Sequence, residues 1–572
     1  MPAGELLLLL GWHLVLTGMP LIAVILFSAR QGIRSTPVLL AIGLAASGVV
    51  AMLAFWAYYA DPFLGEIYAY LAFLGSFALT AWCLYDRRPD PRLVGELATP
   101  LALWIFGTAF LVFLGFLHGG ADSPIGMAMT RFSHPLPADN YLPLFFADWF
   151  FENGHSGTPP VFPGEWLSSD RPPLQVGYVL SQRIFGWDET GLHYQVLGTA
   201  LQQLWIVGLW ALLLAARIGR VTRALVMIAA LVSPLAIVNG FFVWPKMLPT
   251  ALLLAAAAIL LTPLWSELRR NLWAAGLVAT LFGLAMLGHG SSVFGIVALL
   301  AIAAFRGLPS RRWIGTGVLV GVALMAPWSA YQSSGDPPGN RLTKWMLGGV
   351  EQIDDRGAGE AIVDSYREAG IGGAVENKLD NFAAMTGESA FANNVEEVIE
   401  GVGEGDLERF VRGLRMILFF YLLPSLGLLL LGPLAVAVTW LRRTQVHSAE
   451  WTFALTCFAA FVLGAIGWGV ILFGPPAARP TIHIGSYLVP ILGLCGCAVG
   501  LRATFPRFAT YFVSVNAALM LALYVPSLDA PSASGYSAIA VLLAAAALAG
   551  FVVAVLRLGS GPANTLADRW SG

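Results

Sequence analysis

Long apolar runs separated by short polar breaks fill most of the chain. Runs near the ~20 residues that cross a bilayer fall at 5–28, 36–59, 63–86, 98–118, 193–215, 222–241, 246–264, 272–288, 291–305, 312–332, 414–440, 450–474, 481–501, 508–525 and 536–556. Each is expected to be an α-helix, because lipid offers the backbone no hydrogen-bond partner and the segment must satisfy itself. The pattern predicts an all-α polytopic membrane protein with about 15 transmembrane helices. Two stretches are too polar to join the rhythm, 119–192 and 333–413.

Inside the first polar stretch, Leu142, Phe145, Phe146, Trp149 and Phe150 recur at helical spacing, with Pro143 in a first turn. The spacing predicts an interfacial helix over 141–153 whose aromatic face rests among lipid headgroups, with Asp139 or Asn140 as its cap. A second short helix is expected to start near Pro172 and Pro173, capped by Ser169 or Asp170, and to lie on the membrane or dip into it. The second polar stretch carries amphipathic pieces such as "GDLERFVRGLRMI" and reads as surface helices over the membrane domain.

Composition strengthens the membrane assignment. The 572 residues are 57% hydrophobic and 12% charged, about half the charge of a soluble protein. The net charge of -2 and the lack of a basic cluster give no reason to expect a nucleic-acid partner. The first run begins at Glu5 rather than with basic residues, so it is read as a span and not a cleaved leader. Cys83, Cys457, Cys495 and Cys497 lie in apolar runs, which implies no disulfide framework, and Cys495-Gly-Cys497 reads as helix interior.

Arginine placement sets an orientation. Arg30 and Arg34, Arg87, Arg88 and Arg92, Arg217, Arg220 and Arg223, Arg269 and Arg270, Arg306, Arg311 and Arg312, Arg442 and Arg443, Arg502 and Arg507, and Arg557 follow alternate spans. Alternation puts them all on one side, which the positive-inside rule makes the cytoplasm. The N-terminus and both polar stretches are then outside, and the C-terminus inside. The arginine-rich, lysine-poor usage suggests a bacterial plasma membrane.

Polar chemistry gathers on the predicted outer side. The three lysines, Lys246, Lys344 and Lys378, map there, as do His118, His134, His155, His193, His289 and His483. "FFVWPKML" puts Lys246 in a turn, "LGHGSS" puts His289 beside Ser291, and "APWSAYQSSGDPPGNRLTKWMLGG" brings Arg341 and Lys344. Arg479 and His483 fall in a further turn. Asp139, Asp148, Asp170 and Arg171 come from the first polar stretch. Each residue has a plain structural use, as a cap, a snorkelling cation, a lipid contact or a local ion pair. Together they suit sugar transfer from a lipid phosphate: a carboxylate takes the acceptor's proton, and cations stabilise the departing phosphate. No metal is obligatory for this, and a divalent ion remains compatible with it.

"PADNYLPLFFADWF", "SSDRPPLQ" and the later covering stretch resemble the GT-C superfamily of membrane glycosyltransferases. That resemblance implies a core over 97–332 whose first outer loop, 119–192, carries the acid. It implies a covering loop over 333–413, flanked by an accessory segment at 1–96 and C-terminal helices at 414–572. It also implies a polyprenyl-phosphate sugar donor, a cell-envelope glycan or lipid acceptor, and an inverting mechanism. Asp139 would be the base, with Asp170 as runner-up. Arg171, Lys246, His289, Arg341 and Lys344 would meet the donor phosphate, with Asn140, Asp148 and His483 nearby. Asn140 and Tyr141 follow Asp139, so no second acid completes the pair that a metal would favour.

Three other classes fit the topology. A transporter or flippase would place polar groups at mid-membrane, where Gln202 and Gln203 are the main candidates. A glycan polymerase or ligase with a diphosphate-linked donor would use several outer arginines. An assembly subunit would use none of these residues chemically.

Overall fold

The computed structural model describes residues 3–86, 90–132, 136–187, 190–335, 339–352, 354–418, 423–441, 449–474, 488–526 and 535–557. The expectations placed on Arg87, Arg88, His134, Arg442, Arg443, Arg479, His483 and residues 481–487 lie outside them. Among the described residues, regular structure is helical apart from one isolated bridge between Phe162 and Trp166.

The N-terminal helices are α1 (Ala3–Arg30), α2 (Thr36–Ala60) and α3 (Pro62–Asp86), followed by α4 (Pro91–Gly115). The first polar stretch folds into three short helices, α5 (Pro124–Thr130), α6 (Leu142–Asn153) and α7 (Leu174–Arg183). Then come α8 (Thr190–Gln202), α9 (Trp205–Ala215), α10 (Arg220–Leu231), α11 (Pro234–Phe242), α12 (Met247–Leu260) and α13 (Leu264–Leu268). Next are α14 (Leu272–Gly288), α15 (Ser292–Phe305) and α16 (Arg311–Ser334). The second polar stretch forms α17 (Arg341–Gly348), α18 (Ala358–Thr386), α19 (Glu388–Glu404) and α20 (Leu407–Ile417). The chain closes with α21 (Leu431–Leu441), α22 (Ala449–Ile471), α23 (Leu488–Thr504), α24 (Pro506–Tyr524) and α25 (Ala538–Arg557).

Among the described residues, nine helices are long and apolar enough to cross a membrane, α8 and α9 counting together as one, Thr190–Ala215. The expected span at 222–241 is two helices, α10 and α11, bent by 53°. Ser233 and Pro234 make that bend. The Ser233 hydroxyl accepts from Ala236 N–H at 3.2 Å, and Pro234 begins a new helix because it has no N–H to continue the old one. The expected runs at 246–264, 272–288, 291–305 and 481–501 appear as shorter apolar helices of 10–17 residues. The run at 414–440 is not one helix. Its first part is the end of amphipathic α20, and Leu423–Leu430 is a 3-10 segment broken at Gly427.

The core is built on small residues. Every residue of α12 is buried, and it packs along α9, where a side chain at Gly208 would strike the Ala251 carbonyl. Such close helix approach is the usual substitute for hydrophobic drive inside a membrane. By contrast α3 and α16 are largely uncovered and apolar, as lipid-facing helices should be.

One expectation for the first polar stretch is corrected. The face of α6 carrying Leu142, Phe146 and Phe150 is buried in protein, with Phe150 edge-on to Phe55 of α2 at 5.3 Å, and does not rest among headgroups. The aromatic rings find a protein surface because α2 and α16 present their own rings, including Tyr331, beside them. Helix α7 is also interior, seated against α2 where Gly177 leaves room for the Ala51 carbonyl.

Candidate active site

Asp139 sits in a single 3-10 turn, Ala138–Asn140. It does not cap α6, whose N-cap is Tyr141 with no side-chain bond. Its carboxylate turns instead to Arg171, with Oδ2 2.7 Å from Nη2 and both side chains about 15% exposed. The turn is pinned from behind. Tyr194 donates its hydroxyl to the Asn140 carbonyl at 2.6 Å, and the buried Asn140 amide donates to Ile125 O at 3.3 Å. Asn140 is therefore a brace for the turn.

Arg171 precedes α7, which begins at Leu174 with Pro173 as N-cap. Neither Ser169 nor Asp170 caps it. Asp170 folds back to accept Leu167 N–H at 3.0 Å, is 1% exposed, and does not line the cavity described below. Burial pushes its carboxyl up, opposed by the Leu167 N–H and by Arg341 and Arg171. Asp148 is elsewhere, paired with Arg183 of α7 at 3.0 Å.

Trp166 organises the cations. It ends a tight turn in which Phe162 and Trp166 exchange main-chain hydrogen bonds, with Gly164 and Glu165 both left-handed. Arg171 and Arg341 lie over its ring, 3.8 and 4.2 Å from the centroid. Both guanidiniums thus share one indole as their cation–π partner. Arg341 also donates from Nη1 to Gly164 O (2.9 Å) and Glu165 O (2.6 Å), docking the start of α17 on this turn. Lys344, one turn on, is buried and pairs with Asp354 within the covering stretch, away from the cavity.

Opposite lies the turn between α11 and α12. Val243 is left-handed (φ 53), costly for a β-branched residue and stored where the chain must redirect Trp244 and Lys246. The Gln175 amide holds the Val243 carbonyl at 2.9 Å and reaches Tyr194 at the same distance. Gln202 donates to Gln175 and accepts from the Met247 and Leu248 N–H groups, so one buried network fixes both the Asp139 turn and the start of α12. Gln203 is also buried.

Lys246 precedes the first residue of α12 and is fully buried, with Nζ 4.1 Å from the Trp244 ring centre and in hydrogen-bond contact with His289 Nε2. His289 follows α14, and its Nδ1 lies 2.7 Å from the Ser291 hydroxyl. Both groups sit in turns outside the helices. Burial holds each well below its ordinary value; Arg171 adds to this for Lys246, and Lys246 and Arg171 add to it for His289.

These elements enclose a cavity of about 400 Å³. Asp139, Arg171, His289 and Ser291 supply polar walls; Trp166, Trp244 and Trp345 supply aromatic ones, with Leu342 and Met346 of α17 as cover. Lys246 reaches the cavity only through His289. Of the sequence candidates, Asp139, Arg171 and His289 meet here, Lys246 and Arg341 stand directly behind, and Asp148, Asp170, Lys344 and Asn140 serve elsewhere. The tryptophans and the glutamine–tyrosine network were not singled out from sequence; only Gln202 and Gln203 carried a signal, as polar residues inside an apolar run.

All four cysteines are free and buried, and no cluster of three or more His, Cys, Asp or Glu that could hold a metal occurs among the described residues. No family model matches the chain, and neither the curated proteins nor the solved structures contain a match.

Proposed function

We propose that the chain is a GT-C-like glycosyltransferase, moving one sugar from a polyprenyl-phosphate donor to a glycan or lipid acceptor with inversion. In this reading about 15 segments cross a bacterial plasma membrane and the cavity opens at its outer leaflet. The observation that carries it is the Asp139–Arg171 pair on the wall of a cavity lined by three tryptophans. The volume suits a sugar phosphate. The C–H faces of a sugar pack on indole, whose ring carries partial negative charge. Asp139 takes the proton of the attacking hydroxyl. Arg171, whose Nε donor is buried and unmatched among the described residues, holds the phosphate as negative charge grows there.

A second feature supports a lipid-linked donor. An apolar groove of about 510 Å³ runs between α14, α15 and α16, past Gly283 and Met286 of α14, the helix that ends at His289. Its apolar walls suit a polyprenyl tail; it extends to Leu308 and Trp313 at the α15–α16 turn and shares no lining residue with the cavity. Of the transporter reading's two candidates, Gln202 is committed to the start of α12, while the Gln203 amide is buried with no hydrogen-bond partner among the described residues.

The test pairs mass spectrometry of lipids retained on the purified protein with a transfer assay on Asp139→Asn. Loss of about 10²-fold or more in rate with donor binding kept is expected for a missing base. Full activity in that variant removes Asp139 from the role.

A further inference from the structure

The ring of His289 is surrounded by partners that decide its tautomer. The Ser291 main-chain N–H points at Nδ1 at 3.1 Å, and the Ser291 hydroxyl lies 2.7 Å from the same nitrogen. A main-chain N–H only donates, so Nδ1 keeps its lone pair, and the proton of a neutral imidazole sits on Nε2. That N–H faces Lys246 Nζ. An ammonium there would set N–H against N–H. The contact is satisfied when Lys246 is a free amine that accepts from His289. Ser291, His289 and Lys246 thus form an uncharged chain with one end on the cavity wall and the other buried beneath it.

Among the described residues, the charges near this chain have opposite charges beside them. Asp139 pairs with Arg171. Arg341 has Asp170 and Glu165 near it. Lys344 pairs with Asp354. A monoanion entering the cavity therefore brings one unbalanced buried charge, which is costly. It also raises the proton affinity of every basic group beside it. The free amine of Lys246 is the group able to take up a proton, delivered from the ligand side through Ser291 and His289. The hydroxyl proton moves to Nδ1, the Nε2 proton moves to Nζ, and a solvent proton restores the hydroxyl; in this charged state Nδ1–H donates to the Ser291 hydroxyl oxygen and the Ser291 main-chain N–H gives up its acceptor, so the state forms only when the entering anion offsets that loss.

We propose that the Ser291–His289–Lys246 chain makes the cavity a proton-coupled anion site, which binds a phosphodiester monoanion together with one proton from solvent. This rests on the donor reading above and adds its regulation: the Ser291–His289–Lys246 chain is uncharged in the empty site, and its positive charge appears only when the phosphate arrives. Lys246 acts through His289 and is a positioning residue, not a ligand-contacting one.

The probe is a short-chain dialkyl phosphodiester, whose own charge is constant over the working range, titrated into the full-length protein in detergent. Its Kd is expected to weaken about tenfold per pH unit as pH rises between about 6 and 8, the signature of one linked proton. Lys246→Met is expected to bind more weakly and to lose that dependence. Because a buried substitution can disturb folding, a second measurement uses ¹⁵N-histidine-labelled wild type without ligand. His289, assigned by comparison with His289→Gln, should show a bare Nδ1 and a protonated Nε2. Binding that is flat with pH overturns the coupling while leaving the donor reading intact. An Nδ1-protonated or doubly protonated His289 in the empty site also overturns it. Failure of the probe to bind at any pH overturns both.

Discussion

The amide of Gln202 accepts two main-chain N–H groups at the start of α12 and donates to Gln175, which in turn holds Val243 and Tyr194. All of these groups are buried, so each bond removed strands a polar atom that water cannot reach. Gln202→Leu keeps the size but leaves the Met247 and Leu248 donors unmatched. The variant should lose about 2 kcal/mol of stability, read as a lowered unfolding temperature in detergent, and should lose transfer activity because Lys246 and the Asp139 turn are no longer held together. An unchanged melting curve would mean that the two N–H groups find other acceptors. Asp139 and Arg171 show the complementary case. Their chemistry was legible as residue types, but their 2.7 Å pairing was not, because it joins a 3-10 turn to the lead-in of a separate helix.

At the scale of elements, α7 and α17 do most to shape the site. Helix α7 is held inside the bundle by the close approach at Gly177, where an added Cβ would clash with the Ala51 carbonyl oxygen, a backbone atom that cannot rotate away. Gly177→Ala should therefore cost about 1–3 kcal/mol, despite the better helix propensity of alanine. It should also displace Arg171 at the start of the helix. Thermal stability together with the KM for donor reads both effects; a neutral or stabilised variant would show that α7 has room to move. Helix α17 covers the cavity through Arg341 on the Trp166 turn, and Gln332 supports the approach by donating to Ser169 O at 2.9 Å and Gly339 O at 2.8 Å. Periodicity located the apolar helices well, because lipid and protein interior both demand the same repeating apolar surface. It misplaced the environment of α6 for that same reason: an aromatic face looks alike whether headgroups or other rings cover it.

For the whole molecule, the decisive proposal is sidedness. All four cysteines are buried, so new surface cysteines should label without much background. Glu376→Cys on α18 and Leu308→Cys between α15 and α16 are both at exposed positions. In intact cells, a membrane-impermeant thiol reagent should modify the first and spare the second until the membrane is opened. The reverse pattern would invert the topology and put the cavity on the cytoplasmic side.

The sequence by itself determined the helical membrane class, the places where apolar helices form, and the supply of acids and cations in the turns between them. These follow from local composition and from the backbone's need to bond within itself in an apolar medium. Tertiary structure alone decided which of those groups meet. Asp139 chose Arg171 rather than a cap, Trp166 came to lie against two guanidiniums, and His289 came to lie between Ser291 and Lys246. Hydrogen bonds and ring contacts act over a few ångströms, and Asp139 and Arg171, Lys246 and His289, and Trp166 and Arg341 are separated by tens of residues or more along the chain, so only the packed helices set those distances.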